Sequence, residues 1–284
     1  MIAPARNNEW HPAEIRFVET VRDTSMKIVI AETDAGKAYI KPMGGCADGP
    51  HPLACELVGT RLAACLGLPV LDHSVFALGD LDVEMIREEG GRAEAGPAFA
   101  TRAIEAEPWG GSAGELKHVV NLNIVTRLVV MDTLCLNWDR CPPRNDDRRP
   151  NYDNVLLVPD RPKDPAVRLL PIDYGECFSR SRTLSPQIAV IERVKSPAVY
   201  GLFEPFEEHL SEEEARAAQK LLAELGQQKI EAIVDEIPGE WDVEKKTRAA
   251  LVKLICGRAA FLSVELPGML RQATSRLFLS GGQS

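Results

Sequence analysis

Four polar residues stand where polar residues are not ordinarily needed. Lys41 closes an apolar run, AYIKP. Glu56 lies inside the apolar stretch LACELVGTRLAACLGL. Asp139 follows MDTLCLNW, and Asp173 ends LLPID. Each alone has a bland reading, since a lysine after a strand is usually solvated and an aspartate at a strand end often caps a turn. Their order is more informative. Transfer of a phosphoryl group needs a cation on the phosphates, a carboxylate to hold that cation, hard oxygen ligands for a metal, and a group that positions the attacking hydroxyl. Lys41 and Glu56 have the types for the first pair. Asp139 has the type for the last. Asp173, followed by Tyr174 and Gly175, suits a hard cation beside a backbone left free by glycine.

The elements that must position them can be read from periodicity. IRFVET, MKIVIAE and KAYIKP, within residues 15–42, are rich in β-branched and aromatic residues and are joined by turn-like RDTS and TDAG, which predicts an antiparallel meander. A helix is predicted over 53–66, stopped by Gly67 and Pro69. On its wheel Ala54, Val58, Leu62, Cys65 and Leu66 share a face, while Glu56 falls among Gly59, Thr60, Ala63 and Gly67. Two orientations follow for Glu56: against another element that the small residues let approach, or in water.

Further strands are expected at LDHSVFAL, LDVEMI and PAFATRAI, with 86–96 as a connection and 107–114 as a loop. Helical spacing of Leu116, Val120, Ile124, Leu128, Met131 and Leu134 predicts one buried helix over 116–136. NVLLV and VRLLPID read as strands. Helices are expected within 185–200, over 211–235 with Ser211 as cap, and over 243–262. The pattern is a β-rich part with one helix, then a mainly helical part.

These motifs together resemble the bacterial HipA-like kinase group, distantly similar to phosphatidylinositol kinases. The stretches that carry the resemblance are KAYIKP, ACELVGTRLAACLGLPV, NWDR, NVLLV, LLPIDYGECF, EIPGEW and LICGRAAFL, over about residues 15–263. The resemblance implies an α+β, two-lobed protein-kinase-like fold, with a β-rich N-lobe over 1–106 and a helical C-lobe over 107–284. It implies ATP and Mg2+ as cofactors and a Ser or Thr hydroxyl of a protein as acceptor. The alternatives are a lipid or small-molecule kinase, or a nucleotide-binding pseudokinase that acts as an interaction module. Lys41 is implied to touch the phosphates and pair with Glu56, Asp139 to be the catalytic aspartate, and Asp173 to hold magnesium. The turn with Thr24 and Ser25 is implied to cover the phosphates, although it lacks glycines, and the adenine to lie near Phe99 and Thr101. The family's metal-binding asparagine is expected about five residues after the aspartate, where this chain has Arg144. The intervening loop, CPPRNDDRRPNYDN, is longer. Asn154 best fits the asparagine-then-strand pattern, with Asn145 and Asn151 as competitors. Asn137 and Arg140 either brace this loop or act directly.

Other classes lose ground on composition. The chain has 284 residues, 45% hydrophobic and 26% charged, which suits a folded protein with a core. A net charge of -9 disfavours nucleic acid as a partner. Seven cysteines without a CxxC, several in apolar runs, predict reduced thiols and a cytoplasmic setting. Five scattered histidines without HExxH give no zinc site. A Walker loop, a GxGxxG and a GxSxG are absent. No signal peptide is expected, because MIAPARNNEWHP has no apolar core, and no membrane span, because residues 119–136 are interrupted by Asn121, Asn123, Arg127 and Asp132.

Overall fold

The three expected strands of the meander form at β1 (Ile15–Val21), β2 (Val29–Thr33) and β3 (Gly36–Lys41). They belong to a computed structural model that describes residues 10–162, 165–180 and 182–274. With β4 (His73–Leu78) and β5 (Gly96–Arg102) they make a five-stranded antiparallel sheet in the order β1-β2-β3-β5-β4. Register decides what each face carries. Lys41 pairs with Phe99 and Tyr39 with Thr101, and side chains alternate along a strand. Ala38, Ile40, Ala98 and Ala100 therefore share the opposite face, where they join a core with Phe76, Leu78, Val83 and Ile86.

That second face is covered by a helix where the sequence predicted a strand. LDVEMI lies in α2 (Asp80–Glu88), after α1 (His51–Cys65). Its alternation loses to the three-residue spacing of Val83 and Ile86, which puts both into the sheet core and leaves Leu81 exposed. Asp82 accepts a hydrogen bond from the Gly79 N–H at 2.8 Å and holds the first turn. The β-rich part thus carries two helices, and the connection after it is shorter than expected.

α1 is buried on nearly every side, Glu56 included. The stripe of small residues decides the question left by the wheel: a Cβ on Gly59 would lie 2.3 Å from Cβ of Tyr174. The absence of a side chain there is what lets the segment after Asp173 lie against the helix.

The predicted helix over 116–136 is only partly helical. A short turn, α3 (Ala113–Leu116), follows β6 (Glu107–Pro108), and the long helix, α4, spans Ile124–Cys135. Between them Asn121 behaves as a strand partner. Its amide donates to the Leu169 carbonyl at 3.0 Å and its side-chain oxygen accepts from the Leu169 N–H at 2.8 Å. A polar side chain that can satisfy backbone groups in this way competes with helix. NVLLV and VRLLPID form β7 (Val155–Pro159) and β8 (Val167–Pro171), which with β6 make a second, three-stranded sheet.

The remaining segments are helical. Residues 185–200 hold a 3-10 turn and a single turn, α5 (Ile191–Val194). The predicted 211–235 helix breaks at Leu225 and Gly226 into α6 (Glu212–Glu224), capped by Ser211, and α7 (Gln227–Asp235). The last helix, α8 (Lys245–Ala273), runs past the expected end and through Pro267, because Leu266, Met269 and Leu270 continue its buried stripe. α1, α4 and α8 share the larger core. The seven thiols are free, and burial pushes Cys141 up to about 12. Among the described residues no helix is long and apolar enough to cross a membrane.

Replacing Gly59 by valine forces α1 and Tyr174 apart. It is expected to lower unfolding free energy by about 1–3 kcal/mol, read in urea denaturation. An unchanged midpoint would contradict the packing described.

Candidate active site

β3 delivers Lys41 to the face of the sheet opposite α2, and α1 brings Glu56 beneath it. Nζ of Lys41 donates to Oε2 of Glu56 at 2.7 Å and lies 3.2 Å from Oδ1 of Asp173. The segment after β8 reaches this point by a left-handed residue, Asp173 itself, with φ of 63°. Two backbone donors then fix the carboxylates. Tyr174 N–H donates to Oε1 of Glu56 and Gly175 N–H to Oδ1 of Asp173, each at 3.2 Å.

The three groups divide their charge by burial. Glu56, whose side chain is only 5% exposed, pays the desolvation of a carboxylate. Burial outweighs Lys41, and Asp173 adds repulsion, so Glu56 is pushed up to about 7. Asp173 is also opposed by burial, but the Lys41 ammonium and the hydrogen bonds to its oxygens bring it down to about 2. Its side chain is 31% exposed. For Lys41, burial disfavours the ammonium, and the attraction of Asp173 and Glu56 reverses that and raises it above its usual range. Asp173 is thus held ionised beside the Lys41 ammonium, and Glu56 grips the same ammonium from the deeper side.

A second cluster forms where α4 ends. Leu136 adopts a left-handed conformation (φ 54°) that turns the chain into Asn137-Trp138-Asp139-Arg140. Asp139 accepts from Nδ2 of Asn154 at 2.7 Å and of Asn151 at 3.3 Å, and its own N–H donates to Oδ1 of Asn137 at 3.3 Å. Arg140 points the other way, into the core. Its Nε donates to Oδ2 of Asp132 at 2.8 Å, and Nη1 donates to the carbonyls of Ile172, at 2.8 Å, and Asn154. Asn137 donates to the other Asp132 oxygen at 3.0 Å. Burial pushes Asp132 up, against Arg140 and Asn137. Both side chains of the Arg140–Asp132 pair are fully buried. Arg140 is thus a brace: it ties the Asp139 turn to Asn154 before β7 and to Ile172 next to Asp173.

A cavity of about 390 Å³ opens onto the Lys41–Glu56–Asp173 group. Tyr39, Phe99 and Thr101 line it from the first sheet, Leu156 from β7 and Ile172 from the segment that carries Asp173. The predicted Phe99 and Thr101 therefore meet Lys41 in one space. Thr24 and Ser25 do not; they are exposed at the tip of the β1–β2 turn, and Arg22 and Ile28 from its two arms line the cavity instead. Lys27, at the end of the turn, adopts a left-handed conformation with φ of 49°. Of the three asparagines, Asn154 and Asn151 reach Asp139, while Asn145 is exposed in the loop.

Sequence reasoning missed Asp132, which it noted only as an interruption of an apolar run. It also missed His51, whose Nδ1 accepts from the Leu184 N–H at 2.9 Å and whose Nε2 lies 3.1 Å from the Asp242 carbonyl. That ring ties the start of the Glu56 helix to the chain that follows Asp173. A polar residue at the first turn of a buried helix was the available signal.

No family model matches the chain, and no curated protein does. Among solved structures it is similar to the crystal structure of a Helicobacter pylori proinflammatory kinase, CtkA, with a TM-score of 0.56, covering 93% of this chain and 98% of that one at 12% identity. The chain has a kinase-like fold. The mixed antiparallel-sheet and helix architecture expected from the motifs agrees with that likeness. At this identity a kinase-like fold carries no residue roles across, so the site rests on the distances above.

Asp132→Ala leaves the Arg140 guanidinium buried without its counter-charge. A loss of about 3–5 kcal/mol is expected in chemical denaturation. A loss below about 1 kcal/mol would show that the brace is not needed.

Proposed function

We propose that the protein is an ATP- and Mg2+-dependent phosphotransferase of the HipA-like kind. In this reading residues 1–106 and 107–284 act as two lobes around the nucleotide, and the γ-phosphoryl group passes to a Ser or Thr hydroxyl of a protein. One observation carries the reading: a lysine on a strand, a glutamate on a buried helix and an aspartate at a strand end converge on the wall of a cavity, with the lysine within 3.2 Å of both carboxylates, and Arg140 ties a second aspartate–asparagine pair, Asp139 and Asn154, to Ile172 next to that aspartate.

The chemistry follows from the groups. Glu56 holds Lys41 extended, so the ammonium is presented to the α/β-phosphates without reorganisation. Phe99, Leu156 and Ile172 offer the flat apolar walls that suit an adenine ring. Asp139 accepts the proton of the attacking hydroxyl as the oxygen closes on phosphorus, and Asn154 and Asn151 fix the orientation of that carboxylate.

The donor set suits magnesium. Asp173 is anionic, partly exposed and backed by a glycine, and Asn154 supplies an amide oxygen beside Asp139. Among the described residues no three of His, Cys, Asp and Glu form a closed cage. That agrees with an ion that takes one or two protein oxygens and completes its shell with phosphates and water. Bound there, magnesium would neutralise charge on the phosphate oxygens. The free thiols support a reducing, cytoplasmic compartment.

The test is transfer itself. Purified protein with Mg-ATP, alone and with acceptor proteins, is expected to yield phosphate-sized mass gains on intact-mass analysis. Asp173→Ala should abolish them, and Asp139→Asn should slow them at least about 100-fold. Equal transfer by Asp173→Ala would refute the assignment.

A further inference from the structure

The lengthened loop after Asp139 is built, not slack. It leaves the turn at Arg140 and returns there, since Asn151 N–H donates to the Arg140 carbonyl at 2.8 Å while its side chain reaches Asp139. Cys141, Pro142 and Pro143 are buried, and the Cys141 carbonyl accepts from the Gly201 N–H at 2.8 Å. Carboxylates stitch the tip down. Asp146 accepts from the Arg148 N–H and from Arg180 Nη2, each at 3.2 Å, and Glu207 accepts from Arg144.

Anchoring in this way sorts the charges by depth. The side chains of Asp146 and Glu207 are 15% and 10% exposed, whereas those of Arg144, Arg148 and Arg180 are 47%, 42% and 57% exposed. Arg149 is exposed as well, and the exposed acids of the loop are Asp147 and Asp153. Arg148 lies over the ring of Trp138, 3.9 Å from its centroid, and Trp138 is the neighbour of Asp139. Arg144 pairs with Glu207, and Arg148 and Arg180 with Asp146, so in a chain of net charge -9 these carboxylates lie inward and the guanidinium groups of the loop outward, beside the carboxylate assigned to the acceptor hydroxyl.

We propose that this loop and Arg180 form the docking surface for the acceptor, and that the acceptor is an acidic protein segment, with Asp or Glu flanking the receiving hydroxyl. The inference rests on the phosphotransferase reading for its role and on the charge arrangement for its specificity. A guanidinium presents a planar fork that matches a carboxylate. One exposed pair contributes little, but several converge here. The acidic remainder of the chain repels such a segment and leaves this surface as its landing place. The same net charge opposes a nucleic-acid backbone.

The experiment uses the full chain and two fluorescein-labelled peptides, one with a serine flanked by glutamates and one flanked by lysines, read by anisotropy at low salt. The glutamate peptide is expected to bind, and the lysine peptide not. The double variant Arg148→Glu with Arg149→Glu should weaken binding by about tenfold or more. Arg149→Glu alone, which alters only an exposed side chain, should weaken it in the same direction. Equal binding of both peptides, or unchanged binding by both variants, overturns the proposal. Tighter binding of a single-stranded RNA probe overturns it in favour of nucleic acid. A Mg-ATP thermal shift on the same samples separates the two readings. Nucleotide binding without glutamate-peptide preference removes the docking surface alone. Peptide binding lost in the variants, without any nucleotide shift, keeps the surface and removes the kinase reading.

Discussion

The fully buried pair of Arg140 and Asp132 is the constraint on which the site's geometry depends. Two charges taken out of water carry a desolvation cost of several kcal/mol each, and their attraction repays it only if the remaining donors and acceptors are also satisfied. Here Nη1 of Arg140 goes to the Asn154 and Ile172 carbonyls and the second oxygen of Asp132 to Asn137, while Nη2 is left without a hydrogen-bond partner and the guanidinium lies over the Tyr174 ring. The groups that satisfy the pair therefore belong to the segments that carry Asp139, Asn154 and Asp173. Those three residues arrive from separate parts of the chain, and one guanidinium fixes their spacing.

The other half of the site is solved by shape. Lys41 comes from the end of the central strand β3, paired in register with Phe99, and Glu56 comes from a helix buried on nearly every side. A carboxylate in such a helix needs a partner, and the helix needs room for the chain that supplies Asp173. Gly59 provides the room, and Lys41 and the Tyr174 N–H provide the partners. Lys41 and the Gly175 N–H keep Asp173 charged at the more exposed position, with Glu56 held deeper. Anchoring and ligand-facing roles are separated by burial.

Much of this was legible in the chain. Short β-branched runs with turn residues between them marked β1 to β3, because local pattern and tertiary environment agree there. Lys41, Glu56, Asp139 and Asp173 were visible as polar residues at the ends of, or inside, apolar runs. What escaped was set by distant contacts. LDVEMI alternates like a strand, yet Val83 and Ile86 are claimed by the sheet core and the segment becomes helix. Residues 116–123 keep helical spacing, yet Asn121 prefers the backbone of Leu169. The asparagine-then-strand pattern favoured Asn154 over Asn151, and both reach Asp139. The β1–β2 turn meets the cavity through Arg22 and Ile28 on its arms and not through Thr24 and Ser25 at its tip, a placement that no side-chain pattern announces.

The central claim is that Lys41, held by Glu56 and Asp173, is a receptor for the phosphates of a magnesium-bound nucleotide. Isothermal titration of ATP into the native chain and into Lys41→Met, with and without magnesium, addresses it most directly. The account predicts one site per chain that needs magnesium and is weakened about tenfold or more by the substitution, the loss of a buried charge-assisted contact. Equal binding by the native chain and Lys41→Met, or no binding by the native chain, would contradict it.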